Sequence, residues 1–292
     1  MKETINFGCL PAEYSNPETA EIVIIPVAYD GTSTWMKGAD KGPAAIIEAS
    51  ANMELYDIET DSEVYKRGVF TDDAIAGEIS TAEMIDAVSE TVQDHLGRGQ
   101  FTVVIGGEHS VSIGAIKAHA ERYENLTVLQ LDAHADLREE YNGSKYNHAC
   151  VMARVRELCS VVQVGIRSMD ASEKERLDAS RMFFAERLRT DADWIGKVVS
   201  ILSDDVYVTV DLDVFDPAIM PSTGTPEPGG LLWYEVLALL KAVADEKRIV
   251  GFDVVELCPD NRNKAPDFLA SKLIYKLLSY KFGGRHGKGR ST

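Results

Sequence analysis

Asp132, His134 and Asp136 occupy every second position directly after the apolar run LTVLQL at 126–131. On an extended strand, two carboxylates and an imidazole at that spacing share one face. Asp211 and Asp213 repeat the pattern after VYVTV at 206–210, and His109 follows FTVVI, Gly106 and Gly107. A fourth apolar run, RIVGF at 248–252, leads into Asp253 and Glu256. So many acids cannot sit together ionised: some must take protons, or divalent cations must neutralise them. The candidate metal ligands are His109, Asp132, His134, Asp136, Asp211 and Asp213. An oxygen-rich set with two imidazoles suits Mn²⁺, with Fe²⁺, Co²⁺, Ni²⁺ and Zn²⁺ conceivable. Six side chains exceed the three that hold one catalytic zinc. If two carboxylates bridge, the six serve two metals, which together can hold a hydroxide at neutral pH and polarise the group it attacks. Alone, D-x-H-x-D is more often a hydrogen-bonded strand end, and Gly106-Gly107 is no nucleotide fingerprint. It is the recurrence of such endings that points to a shared site.

These residues need a scaffold that delivers several strand ends to one edge. Short runs that are apolar throughout predict strands at 22–27, 101–105, 127–131, 161–164, 206–210 and 249–252, covered on both faces as in a parallel sheet. Helical patterns fall near 43–56, 80–97, 110–122, 148–158, 189–202, 233–246 and 267–281. Ser80 and Glu83 stand in capping-box spacing, and Pro266 with Asp267 opens the last helix. Alternating strands and helices predict an α/β protein with a mostly parallel, doubly wound sheet, whose ligands bind beyond the strands' carboxyl ends. No linker or repeat divides the chain, so residues 1–292 read as one domain, with a flexible Gly-rich tail at 283–292 that carries His286. His95 and His119 lie on predicted helices and read as structural or solvent-facing.

The chain of 292 residues has 30 basic and 47 acidic side chains, a net charge of −17. That balance argues against nucleic acid or an anionic membrane as partner, and it is compatible with a cationic substrate. No apolar run approaches a membrane span, and the N-terminus has no secretory pattern. Cys9, Cys150, Cys159 and Cys258 form no C-x-x-C pair, so reduced thiols in a cytoplasm are expected.

The longer motifs resemble the ureohydrolases, the arginase and agmatinase family: IGGEHS at 105–110, LDAHAD at 131–136, NHACVM at 147–152, VDLDVFDP at 210–217, STGTPEPGG at 222–230 and DVVELCP at 253–259. YDGTSTWMKGADKGP at 29–43 is similar to the family's opening loop. The resemblance implies a three-layer α/β/α arginase-like fold and two Mn²⁺ per subunit. One metal would take His109, Asp132, Asp136 and Asp211, and the other His134, Asp132, Asp211 and Asp213, with Asp132 and Asp211 bridging. Glu108 stands where Asp is commoner, and Cys258 where Asn is often found.

The family's reaction is hydrolysis of a guanidino group by metal-bound hydroxide. Glu256 would hold the guanidinium, Asp136 would pass a proton to the leaving nitrogen, and His148 would shuttle protons to solvent. By position alone His148 reads as a helix cap; the resemblance favours the catalytic role. Thr223 and Glu227 lie in the loop past Asp213; Glu227 is placed either to hold a cationic tail or to cap a turn. Arg138 replaces an Asn that serves arginine's α-amino acid head, and Glu139 and Glu140 would suit an amine tail. The TPEPGG and NHACVM stretches are similar to agmatinases, so agmatine, giving putrescine and urea, is the expected substrate. Aminopropylagmatine, guanidinobutyrate, arginine and guanidine remain alternatives, as do a dimetal phosphoesterase and a non-catalytic member. A homo-oligomer, trimer or hexamer, is implied by the resemblance only.

Overall fold

The computed structural model describes residues 6–283. Nine strands form one sheet: β1 Ile22–Ala28, β2 Val69–Thr71, β3 Ile75–Ala76, β4 Phe101–Gly106, β5 Leu126–Leu131, β6 Ser160–Ile166, β7 Met182–Phe184, β8 Asp205–Asp211 and β9 Arg248–Val255. Every ladder among them is parallel, in the order β2-β1-β4-β9-β8-β5-β6-β7, with β3 also paired to β1. All six predicted strands are present. The three that were not predicted are two or three residues long, too short to carry a pattern.

Eight helices cover the sheet: α1 Gly42–Ser50, α2 Thr81–Gly97, α3 Val111–Arg122, α4 Val151–Val155, α5 Ala185–Leu188, α6 Trp194–Ile201, α7 Trp233–Glu246 and α8 Ala265–Gly283. Successive residues of one strand feed opposite cores, as the pleat requires. Ile22 and Ile24 pack in a core that includes side chains of α1, α6, α7 and α8, whereas Val23, Ile25 and Val27 join α2, α3 and α4. The result is three layers, α/β/α, around an inner sheet without a polar face.

α2 carries the predicted cap: Ser80 Oγ accepts from Glu83 N, and Glu83 Oε2 accepts from Ser80 N at 2.8 Å. Three predicted helices are shorter than expected. α1 stops at Ser50, whose Oγ bonds back to Ile47 O and accepts from Gly8 N, so the N-terminal segment docks where the helix would continue. The 148–158 stretch opens with a 3₁₀ turn, His148–Cys150, capped by Asn147. The 189–202 stretch becomes α6 alone, after a turn in which Asp191 accepts from Asp193 N. Gly283 still belongs to α8; residues 284–292, with His286, lie outside the described residues.

His95 and His119 are both buried and structural, not solvent-facing. His95 bridges Gln100 Oε1 at 2.8 Å and Asp72 Oδ2 at 2.9 Å. His119 Nδ1 bonds Ala115 O at 2.8 Å, and its ring packs 4.6 Å from that of Tyr207 over Gly251, where a Cβ would lie 2.3 Å from Nε2.

Candidate metal centre

β4, β9, β8 and β5 are consecutive at the middle of the sheet, and their carboxyl ends deliver all six candidate ligands to one rim. The chain leaves β4 for the far half of the sheet, and β8 and β9 later return to fill the gap between β4 and β5. Gly107 makes the first approach possible: a Cβ there would lie 1.9 Å from Tyr29 O. Its own carbonyl accepts from Glu256 N at 2.8 Å, so the ends of β4 and β9 are tied together beside His109.

The ligand candidates converge, though not by the strand geometry read from their spacing. β5 ends at Leu131 and β8 at Asp211, so most of these residues lie in turns beyond the ladder. Asp132 Oδ1 accepts from His134 N at 2.5 Å, and Asp211 Oδ1 from Asp213 N at 2.9 Å. Asp136 has φ 51°, a left-handed conformation that turns the chain back toward His109. The carboxylates recruit their own backbone and curl the strand ends inward, which an extended strand cannot do.

Two overlapping groups result. His109 Nδ1 lies 3.2 Å from Asp132 Oδ2, 3.1 Å from Asp136 Oδ2 and 3.4 Å from Asp211 Oδ2. His134 Nδ1 lies 2.9 Å from Asp213 Oδ2 and 3.6 Å from Asp132 Oδ1. Asp132 thus belongs to both: the trios His109–Asp132–Asp211 and Asp132–His134–Asp213 each have ligand atoms close enough for one ion, Asp136 standing beside the first and Asp211 belonging to the first alone. His109 Nδ1 is buried without a hydrogen-bond partner, ringed by three carboxylate oxygens. Buried polar atoms are normally satisfied; an oxygen-rich ring around an orphaned imidazole nitrogen fits a divalent cation. The residues present therefore suit a pair of metal ions.

Electrostatics record the same crowding. Burial and then the charges of Asp213 and Asp132 hold the Asp211 carboxyl well above its usual range. Burial and then Asp132 push Asp136 up to about 7. Burial opposes ionisation of Asp132, but bonds and charges from His109 and His134 outweigh it and hold that carboxyl low. Both imidazoles are raised, because the acids around them override the effect of burial. Without cations the cluster borrows protons.

Five side chains outside the ligand set support it. Gln130 Nε2 donates to Asp132 Oδ2 at 2.7 Å, and Gln163 Nε2 donates to Gln130 Oε1 at 2.6 Å. Thr209 Oγ1 donates to Asp253 Oδ1 at 2.6 Å and lies 3.0 Å from His109 Nε2, so the opposite ring nitrogen is the one offered to the carboxylates. Arg167 reaches Asp213 O at 2.6 Å and Glu227 O at 2.8 Å, pinning the 222–230 loop to the turn after β8. Glu108 binds Thr32 and Ser110. A signal existed for two of these: Gln130 and Thr209 are polar residues at fully buried strand positions.

A cavity of about 280 Å³ opens over the centre, lined by His109, His134, Asp136, His148, Asp213 and Glu256, among others. Glu256 Oε1 accepts from His109 N at 2.7 Å; burial and then the Glu108 charge hold its carboxyl well above the usual range. His148 Nδ1 lies 3.1 Å from Thr32 Oγ1; burial and then the charges of His109 and His134 push its pKa down to about 4. Gly224 and Thr225 line the cavity, whereas the fully buried Thr223 is not among its lining residues. Glu227 lies farther out, 3.9 Å from His134 Nε2. Glu139 does not serve the cavity: it pairs with Arg154 at 2.8 Å and Arg176 at 2.6 Å. Asp170, which does line it, is the outer acid, with Arg138 3.5 Å away.

The profile of the Arginase family matches residues 20–279. The N(1)-aminopropylagmatine ureohydrolase of a Synechocystis strain is 37% identical over 276 residues, covering 89% of each chain. An agmatinase of Pyrococcus horikoshii is 32% identical over 262 residues, covering 89% of this chain and 91% of that one. Among solved structures, the agmatine ureohydrolase of Thermoplasma volcanium has a TM-score of 0.87 at 30% identity, over 97% of this chain and 96% of the other. With the fold and the rim described above, these matches establish that the chain belongs to the arginase family, among its ureohydrolases.

Proposed function

We propose that this enzyme hydrolyses agmatine to putrescine and urea at a centre of two divalent cations, Mn²⁺ by preference. The observation that carries this reading is Glu256, a buried carboxylate facing the same cavity as two carboxylate–imidazole clusters. When bound, the cations supply an activated water at neutral pH and charge stabilisation for the attacked group. Oxygen-rich ligation with two imidazoles suits Mn²⁺, with Ni²⁺, Co²⁺ and Fe²⁺ as competitors. His109, Asp132, Asp136 and Asp211 would hold one ion, and His134, Asp132, Asp211 and Asp213 the other.

The chain's own residues do the rest. Glu256 Oε1 is taken by His109 N, so Oε2 receives the guanidinium and orients its carbon toward the clusters. The cation in turn relieves the repulsion that burdens this buried carboxylate. Asp136 takes the proton of the attacking water and gives it to the departing amine nitrogen. His148 exchanges protons between the cavity and solvent.

Substrate choice follows from the outer wall. Arg138 lies 4.6 Å from the centre of the Tyr141 ring and near Asp170, which commits its charge and leaves a poor receptor for arginine's carboxylate. Asp170 offers a partner for an amine tail, and Gly224 and Thr225 bring the 222–230 loop, with Thr223 and Glu227, over the site. N(1)-aminopropylagmatine is the second reading. Relatives bearing that name range from 32% to 37% identity, against 32–34% for the agmatinases of P. horikoshii and Bacillus anthracis, and the exposed Trp35, Met36 and Met169 at the cavity offer apolar surface to a longer chain. Urea release measured with agmatine, N(1)-aminopropylagmatine, guanidinobutyrate, arginine and guanidine under each metal decides. Highest kcat/KM on arginine or guanidine overturns the proposal, and highest kcat/KM on N(1)-aminopropylagmatine installs the second reading. We further propose a single-domain cytoplasmic enzyme, supported by four unpaired cysteines, that assembles as a homotrimer or hexamer.

A further inference from the structure

We infer that Glu108, acting through Thr32, fixes His148 as the tautomer protonated on Nδ1, which reserves Nε2 as the base that serves the cavity. This rests on the reading of His148 as the proton carrier. Glu108 is fully buried, and its oxygens are surrounded by donors. Oε1 accepts from Thr32 N at 3.2 Å, Thr32 Oγ1 at 2.9 Å and Ser110 Oγ at 2.9 Å, while Oε2 accepts from Ser110 N at 2.7 Å. Two of these donors are backbone N–H groups, which cannot reverse their role. Both carboxylate oxygens face fixed N–H donors and Thr32 Oγ1 donates to Oε1, so the single hydroxyl proton of Thr32 points to Glu108.

That direction settles the next bond. Thr32 Oγ1 keeps two lone pairs. One accepts from His148 N at 2.9 Å. The other faces His148 Nδ1 at 3.1 Å. With the hydroxyl proton already spent on Glu108, only a proton on Nδ1 can close this contact. Neutral imidazole carries one N–H, so Nε2 holds the lone pair. The ring is held from its side as well: Tyr141 meets it edge-on, with centroids 6.3 Å apart. Nε2 can then accept a proton to give the imidazolium and return it to the leaving amine or to water, with Nδ1–H staying on Thr32 throughout. Glu108 and Thr32 are positioning residues in this scheme, since neither is asked to touch substrate. The YDGTS stretch is thereby coupled to the residue before His109, a connection that spans 76 positions of sequence.

The test reads the tautomer directly. Long-range ¹H–¹⁵N spectra of the full-length protein, labelled in histidine and loaded with diamagnetic Zn²⁺, distinguish protonated from unprotonated ring nitrogens, and His148→Asn assigns the signal. The expected wild-type spectrum has Nδ1 protonated and Nε2 bare. Thr32→Val, close in shape but unable to accept, is expected to admit the Nε2–H form and lower kcat about tenfold with KM little changed; Thr32→Ser restores both. A wild-type ring protonated on Nε2, or a tautomer indifferent to Thr32→Val, overturns the inference, and the wild-type spectrum alone decides should the valine variant not fold. If His148→Asn retains wild-type kcat, the proton-carrier reading fails instead, and the tautomer result stands apart from it.

Discussion

Glu256→Gln separates the substrate role of this carboxylate from a structural one, because the two roles predict opposite changes in stability. Oε1 is engaged by His109 N at 2.7 Å, an acceptor role that the amide oxygen of Gln can keep. The free oxygen becomes an NH₂ group, so a donor then faces the donors of the guanidinium. One charge-assisted hydrogen bond is lost, worth about 1.5–3 kcal/mol. At about 1.4 kcal/mol per decade, kcat/KM is expected to fall roughly 10- to 150-fold, short of what a bidentate clamp on two free oxygens would lose. Stability should move the other way. The Glu256 carboxyl is held well above its usual range by burial and the Glu108 charge. An acid whose folded pKa is raised destabilises the fold once pH passes its unfolded value. Neutral Gln removes that penalty, so chelator-treated E256Q should melt above chelator-treated wild type at pH 7.5. The assays are urea release under Mn²⁺ and thermal melting after chelation. A kcat/KM within threefold of wild type refutes the guanidinium role. A variant that loses both activity and melting temperature shows instead that the carboxylate is a brace for His109.

Further tests address the metal, its supports and the core. Chelation is expected to abolish urea release and lower Tm, with Mn²⁺ restoring both; at a hundredfold excess over Kd the ion adds about 2.7 kcal/mol, so Tm should climb with metal concentration. Thr209→Val, which cuts the link from His109 Nε2 to Asp253, should weaken Mn²⁺ affinity by about 10- to 100-fold in calorimetry, while Thr209→Ser holds it. Burial lowers the pKa of His119 to about 4, so the folded ring stays neutral while the unfolded ring takes a proton below pH 6.5. Stability is then fully present above that pH and lost as pH falls, by about 2 kcal/mol at pH 5; His119→Gln should show a shallower loss in urea unfolding between pH 6.5 and 5, and equal slopes would count against it.

What could be read from sequence, and what could not, divides along a physical line. Central parallel strands are buried on both faces, so their sequences are apolar at most positions, as in β4, β5, β8 and β9. Edge strands of two or three residues leave no period to detect, and β2, β3 and β7 were missed for that reason. The six ligand candidates were legible because carboxylates seldom follow a buried strand in pairs. Their mode of convergence was not: the spacing suggested an extended face, whereas Asp132 and Asp211 bond backbone N–H groups two residues on and turn the chain. Partnerships that depend on distant segments carried no local mark. Glu108 looked like a neutral departure from a motif, yet its carboxylate is the acceptor for Thr32. Glu139 looked like a binding group by proximity, yet Arg154 and Arg176 claim it. Length errors in α1 arose from docking of the N-terminal segment on Ser50, a tertiary contact that propensity cannot see.

The position of the strain shows how the fold sustains such a site. Five non-glycine residues among those described adopt positive φ, and two of them, Asp136 and Glu256, carry the acids that flank His109. Each such conformation costs on the order of 1–3 kcal/mol, and it persists only where the surroundings leave no alternative. Here the surroundings are four inner strands whose side chains are almost all fully buried, with Gly107 clamped between Tyr29 O and Glu256 N. A loop would relax by letting the acids drift apart into water. A rim grown from packed strands cannot, so the acids remain crowded, partly protonated and in need of cations. The apolar sheet is therefore the reason the carboxylates stay poised, and the proposed binding of metal and guanidinium draws on a repulsion that the core does not allow to dissipate.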